Sequence, residues 1–197
     1  KATTWVTDLY QASADDQQQI LGGLLARQPA WRWLMLLDEH EQLVARRARL
    51  APPTLDDLAR LYPPADRIRV REQHSHVGTV SCDPVTGEPR VLLAVPVRDD
   101  FRNWKGVLLG DLNLEYVREV IGGLQVGNAG HAFVVSRDGT LIACADASRM
   151  LNGENLGHLA PVAEFTAGTI PPASRGILGR GLTGERVVGF CVPLGTP

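Results

Sequence analysis

Three kinds of side chain in this 197-residue chain stand where they could do chemistry. The first is a run of arginines, in which Arg67, Arg69 and Arg71 alternate with Ile68 and Val70. On an extended strand that spacing puts the three guanidiniums on one face. A guanidinium fork grips a carboxylate with two parallel hydrogen bonds, so Arg69 and Arg71 are read as candidate anion ligands, against the plainer reading of a solvated strand edge. The second is His74-Ser75-His76, with Cys82 close behind. Alternation again aligns the two imidazoles, which could hydrogen-bond a ligand and titrate near neutral pH. Imidazole and thiolate also suit zinc, but no further ligand stands at a typical metal spacing, and no metal site is expected. The third is Asp111, alone in the apolar run Val107-Leu108-Leu109-Gly110-Asp111-Leu112. A carboxylate in such a strand must be paired or hydrogen-bonded. Either it holds a neighbouring loop or it faces a ligand cation such as an ammonium.

Catalysis finds little support. The sequence holds no GxSxG, HExxH or P-loop, and no Cys–His pair at a recognised spacing. Gly179-Arg180-Gly181-Leu182-Thr183-Gly184 spells GxGxxG, yet strand signals flank it and no helix follows. A hairpin turn is expected there. The fragment is therefore read as a non-enzyme without cofactor. Lys+Arg number 20 and Asp+Glu 22, a net charge of −2, which lacks the basic footprint of nucleic-acid binding. Only Lys1 and Lys105 are lysines; the other basic residues are arginines. Cys82, Cys144 and Cys191 are too few and too scattered for a disulfide scaffold, and whether any of them pair stays open. No stretch approaches the roughly 20 apolar residues of a membrane span, and with Lys1 in first place the chain is read as an excised fragment.

The elements that must position these residues follow from hydrophobic period and breakers. Apolar residues at three-to-four spacing predict helix over residues 4–27, as one helix with a polar centre or two short ones, ended by Pro29. Trp31 to Leu37 predicts a central strand and Gln42 to Leu50 its hairpin partner. Trp31 and Trp33 are expected on one face, as core or as a ligand cage. Thr54 is a plausible N-cap for a short helix closed by Pro63-Pro64. Arg67 to His76 reads as strand-like, 78–81 as a short strand, and 83–89 as a turn. Val91–Val97 and Val107–Leu114 predict apolar strands, and 115–124 a helix. The order then restarts: strands at 131–135 and 140–145, a Gly- and Pro-rich stretch over 152–173, and a last hairpin from 177–182 and 186–194. Two antiparallel α+β units are implied.

The runs Trp31–Val44, Val80–Val97, Gly106–Leu114, Val126–Ile142 and Arg186–Pro193 resemble, in that order, the double Cache family. These are tandem PAS-like sensor modules in the extracytoplasmic part of bacterial transmembrane receptors. The resemblance implies an α+β fold: a long N-terminal helix over 1–28, a membrane-distal module with its linking helix over 29–124, and a membrane-proximal module over 125–197. The family would add a final proximal strand beyond Pro197, so the second module is expected to be cut there or atypical. The implied function is small-molecule sensing for a histidine kinase, chemoreceptor or cyclic-dinucleotide protein whose output domain carries any catalysis. The implied location is periplasmic or extracellular, with the membrane reached through flanking helices and a homodimer formed through the first helix. The family's amino-acid-binding branch places an ammonium-binding acid where Asp111 stands. Its carboxylate-binding Arg, Trp and Tyr are matched in residues 67–74 by arginines alone. An amino acid, amine or carboxylate ligand is expected between the first sheet and segment 66–81, with Asp111 on the floor and Arg69, Arg71, His74, His76 and Ser81 around it. The rival readings are a protein-interaction sensor without a small ligand and a small metal-dependent hydrolase.

Overall fold

The computed structural model describes residues 9, 12–49, 51–72, 75–124, 126, 130–168 and 175–193. The chain divides into two compact units, Lys1–Tyr116 and Val117–Pro197.

In the first unit, helix α1 (Ala14–Arg27) starts where the Ser13 side chain accepts the Asp16 amide. Ala12 and Ser13 are not helical, so no unbroken helix runs over residues 4–27; of residues 4–11, all but residue 9 lie outside the described residues. β1 (Trp31–Asp38) lies between β2 (Leu43–Ala48) and β6 (Trp104–Asn113). Beyond β6 comes β5 (Pro89–Arg98), whose far edge takes both β3 (His76–Val77) and β4 (Ser81–Cys82). Every pairing is antiparallel.

This sheet is covered on both faces, which is why β1 reads as an almost unbroken apolar run. On one face Leu21 and Leu25 of α1 pack with Leu34, Leu36, Ala45 and Val97. On the other, α2 (Leu55–Leu61) and α3 (Pro64–Glu72) bring Leu58, Tyr62 and Val70 onto Trp33, Met35, Leu37, Leu92, Ala94, Val107 and Leu109. Thr54 caps α2 in a reciprocal box with Asp57. Gly106, at φ +143°, is required where β6 passes β1, since a Cβ there would overlap the Leu37 carbonyl oxygen.

Two expectations are corrected. Residues 67–72 belong to a helix, not a strand. Pro63-Pro64 closes α2, and Pro64 then opens α3 at the first helical position, where its missing N–H costs nothing. Asp66 in the first turn and Arg69 and Arg71 in the last suit the helix dipole. Positions two apart point to different sides of a helix, so Arg69 leaves the face that Arg67 and Arg71, four apart, share. Second, Trp31 and Trp33 pack on opposite faces of the sheet. The Gly- and Pro-rich stretch contains a helix, Ala160–Thr166, opened by Pro161.

In the second unit, which begins inside α4 (Leu114–Gly122), β7 (Phe133–Val135) pairs with β8 (Leu141–Cys144). α5 (Ala147–Leu151) and α6 (Ala160–Thr166) follow, then the hairpin β9 (Ile177–Arg180) and β10 (Arg186–Gly189). The GxGxxG glycines serve this hairpin, as expected. Gly184 takes φ +87° in the turn, and Gly179 leaves room for Ala160, which a Cβ would meet at 3.1 Å. Leu141, Met150, Leu156, Val162 and Ile177 are buried. Cys82, Cys144 and Cys191 are all free thiols.

Candidate functional site

Arg32, Arg90 and Asp111 each stand in a largely apolar strand, and the fold gathers them at one end of the first sheet. Asp111 lies opposite Trp33 of β1 and Leu92 of β5, so it faces α2 and α3. Arg90, two residues before Leu92, shares that face. Arg32 reaches it through a bulge. Trp31 pairs with Leu112 and Trp33 with Asp111, leaving Arg32 as the extra residue. A bulge re-aims the side chains around it; here it sends the two tryptophans to opposite faces and lets Arg32 meet the acids.

The result is a row of alternating charge across β1, β6 and β5, closed by the turn between β4 and β5. Arg32 Nη2 lies 2.9 Å from Asp83 Oδ2, its Nη1 2.9 Å from Glu88 Oε2, and its Nε 3.8 Å from Asp111 Oδ2. Arg90 Nη1 is further from its acids, 3.4 Å from Asp111 Oδ2 and 3.5 Å from Asp83 Oδ2. The turn holds itself in place: Asp83 Oδ1 accepts the amides of Val85 and Thr86, both at 2.9 Å. Glu88 Oε2 also accepts Asn113 Nδ2 at 3.1 Å, and Asn113 Oδ1 accepts the Glu115 amide at 2.8 Å in the first turn of α4.

Burial pushes the Asp111 carboxyl above the usual aspartate value, with Arg90 and Arg32 pulling the other way. Burial acts upward on Asp83 as well, but the Thr86 and Val85 amides with both guanidiniums outweigh it and hold that carboxyl low. Across the strand pair from Arg90 stands Ser81. Ser81 Oγ and Arg90 Nε are both buried without a hydrogen-bond partner among the described residues.

The other residues singled out in the sequence lie elsewhere. His76, opposite Ala94, brings Nε2 to 3.2 Å from Asp66 Oδ1 on α3. Arg69 is more than half exposed and pairs with Asp66 within α3 at 3.6 Å. Arg71 reaches Glu41 at 3.6 Å and lies 5.3 Å from the centre of the Trp104 ring. Glu41 also accepts Arg67, whose guanidinium sits 5.5 Å from the Tyr62 ring. Burial, with Glu41 adding to it, pushes the Tyr62 hydroxyl up to about 12. Neither Arg69 nor Arg71 shares a hydrogen bond or ion pair with Asp111 among the described residues. His74 lies outside the described residues. Cys82 faces away from His76, because it pairs with Pro89 on the odd-numbered side of β5. Among the described residues no three His, Cys, Asp or Glu side chains gather as a metal site.

No family model matches the sequence, and no curated protein matches it. Solved structures do match in fold. The extracellular domain assigned to histidine kinase mmHK1S-Z2 aligns at 14% identity over 95% of this chain and 80% of its own, with a TM-score of 0.60. The ligand-binding domain of the Pseudomonas aeruginosa amino acid chemoreceptor PctB, in complex with L-Gln, aligns at 21% identity over 93% and 70%, with a TM-score of 0.58. The periplasmic sensory domain of the Campylobacter jejuni chemoreceptor Tlp1 aligns at 13% identity over 94% and 78%, with a TM-score of 0.57. The fold is that of extracytoplasmic sensor domains. More narrowly, it is the Cache-type sensor fold, α+β with an N-terminal helix ahead of antiparallel sheet.

Proposed function

We propose that this chain is the extracytoplasmic ligand-sensing part of a bacterial membrane receptor, whose output domain is a histidine kinase, chemoreceptor or cyclic-dinucleotide module. The observation that carries the reading is the likeness in fold to three such domains over nearly the whole chain. Supporting it is the buried charged row under α2 and α3, a set of groups on a helix-covered sheet face with the chemistry to recognise a small polar ligand. The ligand-binding role falls to the first unit, with Asp111 and Ser81 at the ligand-facing end of the sheet. The fragment itself senses and does not catalyse. It acts by differential affinity: the ligand binds one arrangement of the domain more tightly and shifts the population toward it.

Thermal unfolding with a panel of small metabolites tests the reading. All four tryptophans, Trp5, Trp31, Trp33 and Trp104, lie in the first unit's sequence, so intrinsic fluorescence reports that unit. A true ligand at about a hundred times its Kd adds roughly 2.7 kcal/mol and raises the fluorescence midpoint visibly. A flat response to amino acids, amines, carboxylates and neutral metabolites alike would remove the small-molecule function.

A further inference from the structure

We infer that the first unit carries a carboxylate-binding subsite formed by the free edge of the Arg90 guanidinium and the Ser81 hydroxyl. This rests on the ligand-sensing reading and deepens it by naming the chemical class of the ligand.

The two arginines of the row differ in how far their donors are already used. Arg32 is saturated: it lies 2.9 Å from both Asp83 and Glu88 and is almost fully buried between them. Arg90 is not. It meets Asp111 and Asp83 only at 3.4 Å and 3.5 Å, and both contacts use Nη1. Its Nε–H is buried with no acceptor among the described residues. The Nε edge is one on which a guanidinium takes a carboxylate bidentately. A buried charged donor left without an acceptor is destabilising, so an acceptor supplied from outside is favoured there.

Ser81 brings the second group. As the direct cross-strand neighbour of Arg90 it projects from the same sheet face, with Cβ atoms roughly 5 Å apart. Its hydroxyl is buried and unpartnered as well. One small anion bridging the guanidinium edge and the hydroxyl would satisfy both. An ammonium is disfavoured at the neighbouring acid, because Asp111 Oδ2 already sits between Arg90 at 3.4 Å and Arg32 at 3.8 Å. A cation approaching it would meet two like charges. The subsite thus selects a carboxylate without requiring an α-amino group.

Titration calorimetry on the intact chain decides it. The probes are propionate, pyruvate and succinate, set against propionamide, propylamine and L-glutamine. At least one of the three carboxylates is expected to bind, and its amide or amine counterpart not. Arg90→Lys keeps the charge and its pairing with Asp111 but removes the fork, and should weaken binding roughly ten- to a hundredfold. Ser81→Ala should weaken it roughly two- to tenfold. Equal carboxylate affinity in wild type and both variants, with circular dichroism showing the variants folded, overturns the subsite. Binding of propylamine or propionamide with no carboxylate-bearing probe also overturns it, and binding of L-glutamine alone, which carries an α-ammonium beside its carboxylate, overturns the claim that no α-amino group is needed; both leave the sensing function standing. Silence from all six probes overturns the subsite alone. The sensing function fails only if the wider thermal panel is flat too.

Discussion

Replacing Arg32 with methionine removes the centre of the charged row, and the structure says how much that costs. Three acids lose a partner, but unequally. The Glu88 side chain is 40% exposed, so water takes the place of the guanidinium and little stability is lost. The side chains of Asp83 and Asp111 are 11% and 3% exposed, and water cannot. Breaking a buried pair by deleting one partner costs about 3–5 kcal/mol, because the remaining charge is stranded. Asp83 keeps two backbone amides at 2.9 Å and Arg90 at 3.5 Å. Asp111 keeps Arg90 at 3.4 Å. The loss should therefore fall at the lower end, about 3 kcal/mol. With a urea slope of roughly 1–3 kcal/mol per molar, the midpoint falls by about 1–3 M. Tryptophan fluorescence measures it in the first unit. Adding Asp83→Asn to Arg32→Met should recover about 1 kcal/mol or more relative to the sum of the single losses. A midpoint within about 0.3 M of wild type, or strict additivity in the cycle, would show that the row does not hold the β4–β5 turn to the sheet.

Two further outcomes follow from the titrating groups. Burial raises the Asp111 carboxyl, so the native state keeps a proton that the unfolded chain has released above the ordinary value of 3.8. That contribution to stability is full at low pH and is lost as the pH climbs through the raised value. Asp111→Asn abolishes it, so wild-type stability minus that of the variant should fall as the pH rises above 3.8; a difference that stays flat or rises refutes the direction. Tyr62, pushed up from 10.0 to about 12, should ionise in a late step of the alkaline titration. Stability should decline above pH 10.0 as the unfolded chain loses this proton first. Alkaline difference absorbance checks this: Tyr62→Phe should delete the late step, and an unchanged titration curve would place the buried hydroxyl elsewhere.

Much of the first sheet is legible because burial on both faces leaves a signal that no other element imitates. β1, β5 and β6 read as apolar runs and are strands. α3 does not read as a helix because it buries Val70 alone and leaves Ile68 exposed; with no apolar stripe, its alternating arginines imitate a strand edge. α6 is seven residues inside a Gly- and Pro-rich stretch, too short for a period to emerge. The parity of Trp31 and Trp33 is lost because period two assumes regular pairing, and a single extra residue inverts it. Asp111 stands out as a lone charge in an apolar strand. The same logic reaches Arg32, set between two tryptophans, and Arg90, set between Pro89 and Val91. Asp83, Thr86 and Glu88 are harder. Their Pro and Gly neighbours announce a turn, and nothing local says that its acids point back into the sheet.

The charged row also bears on how occupancy of the first unit could be felt beyond the ligand. From Arg90 the contacts run to Asp111, from Asp111 to Arg32, from Arg32 to Glu88, and from Glu88 through Asn113 to the Glu115 amide at the start of α4. Contiguity of this kind is not coupling, which requires an element with two arrangements that the ligand tells apart. The weakest link is the one next to the proposed subsite. Arg90 holds its acids at 3.4–3.5 Å, whereas Arg32 holds its closest two at 2.9 Å. An anion on the free edge of Arg90 competes with Asp111 for the same guanidinium charge. It would loosen the longer contact and leave the shorter ones intact. The difference between the bound and free states would then lie in how firmly Asp111, two residues before Asn113 in β6, is held. The chain of contacts that begins α4 would feel that change first.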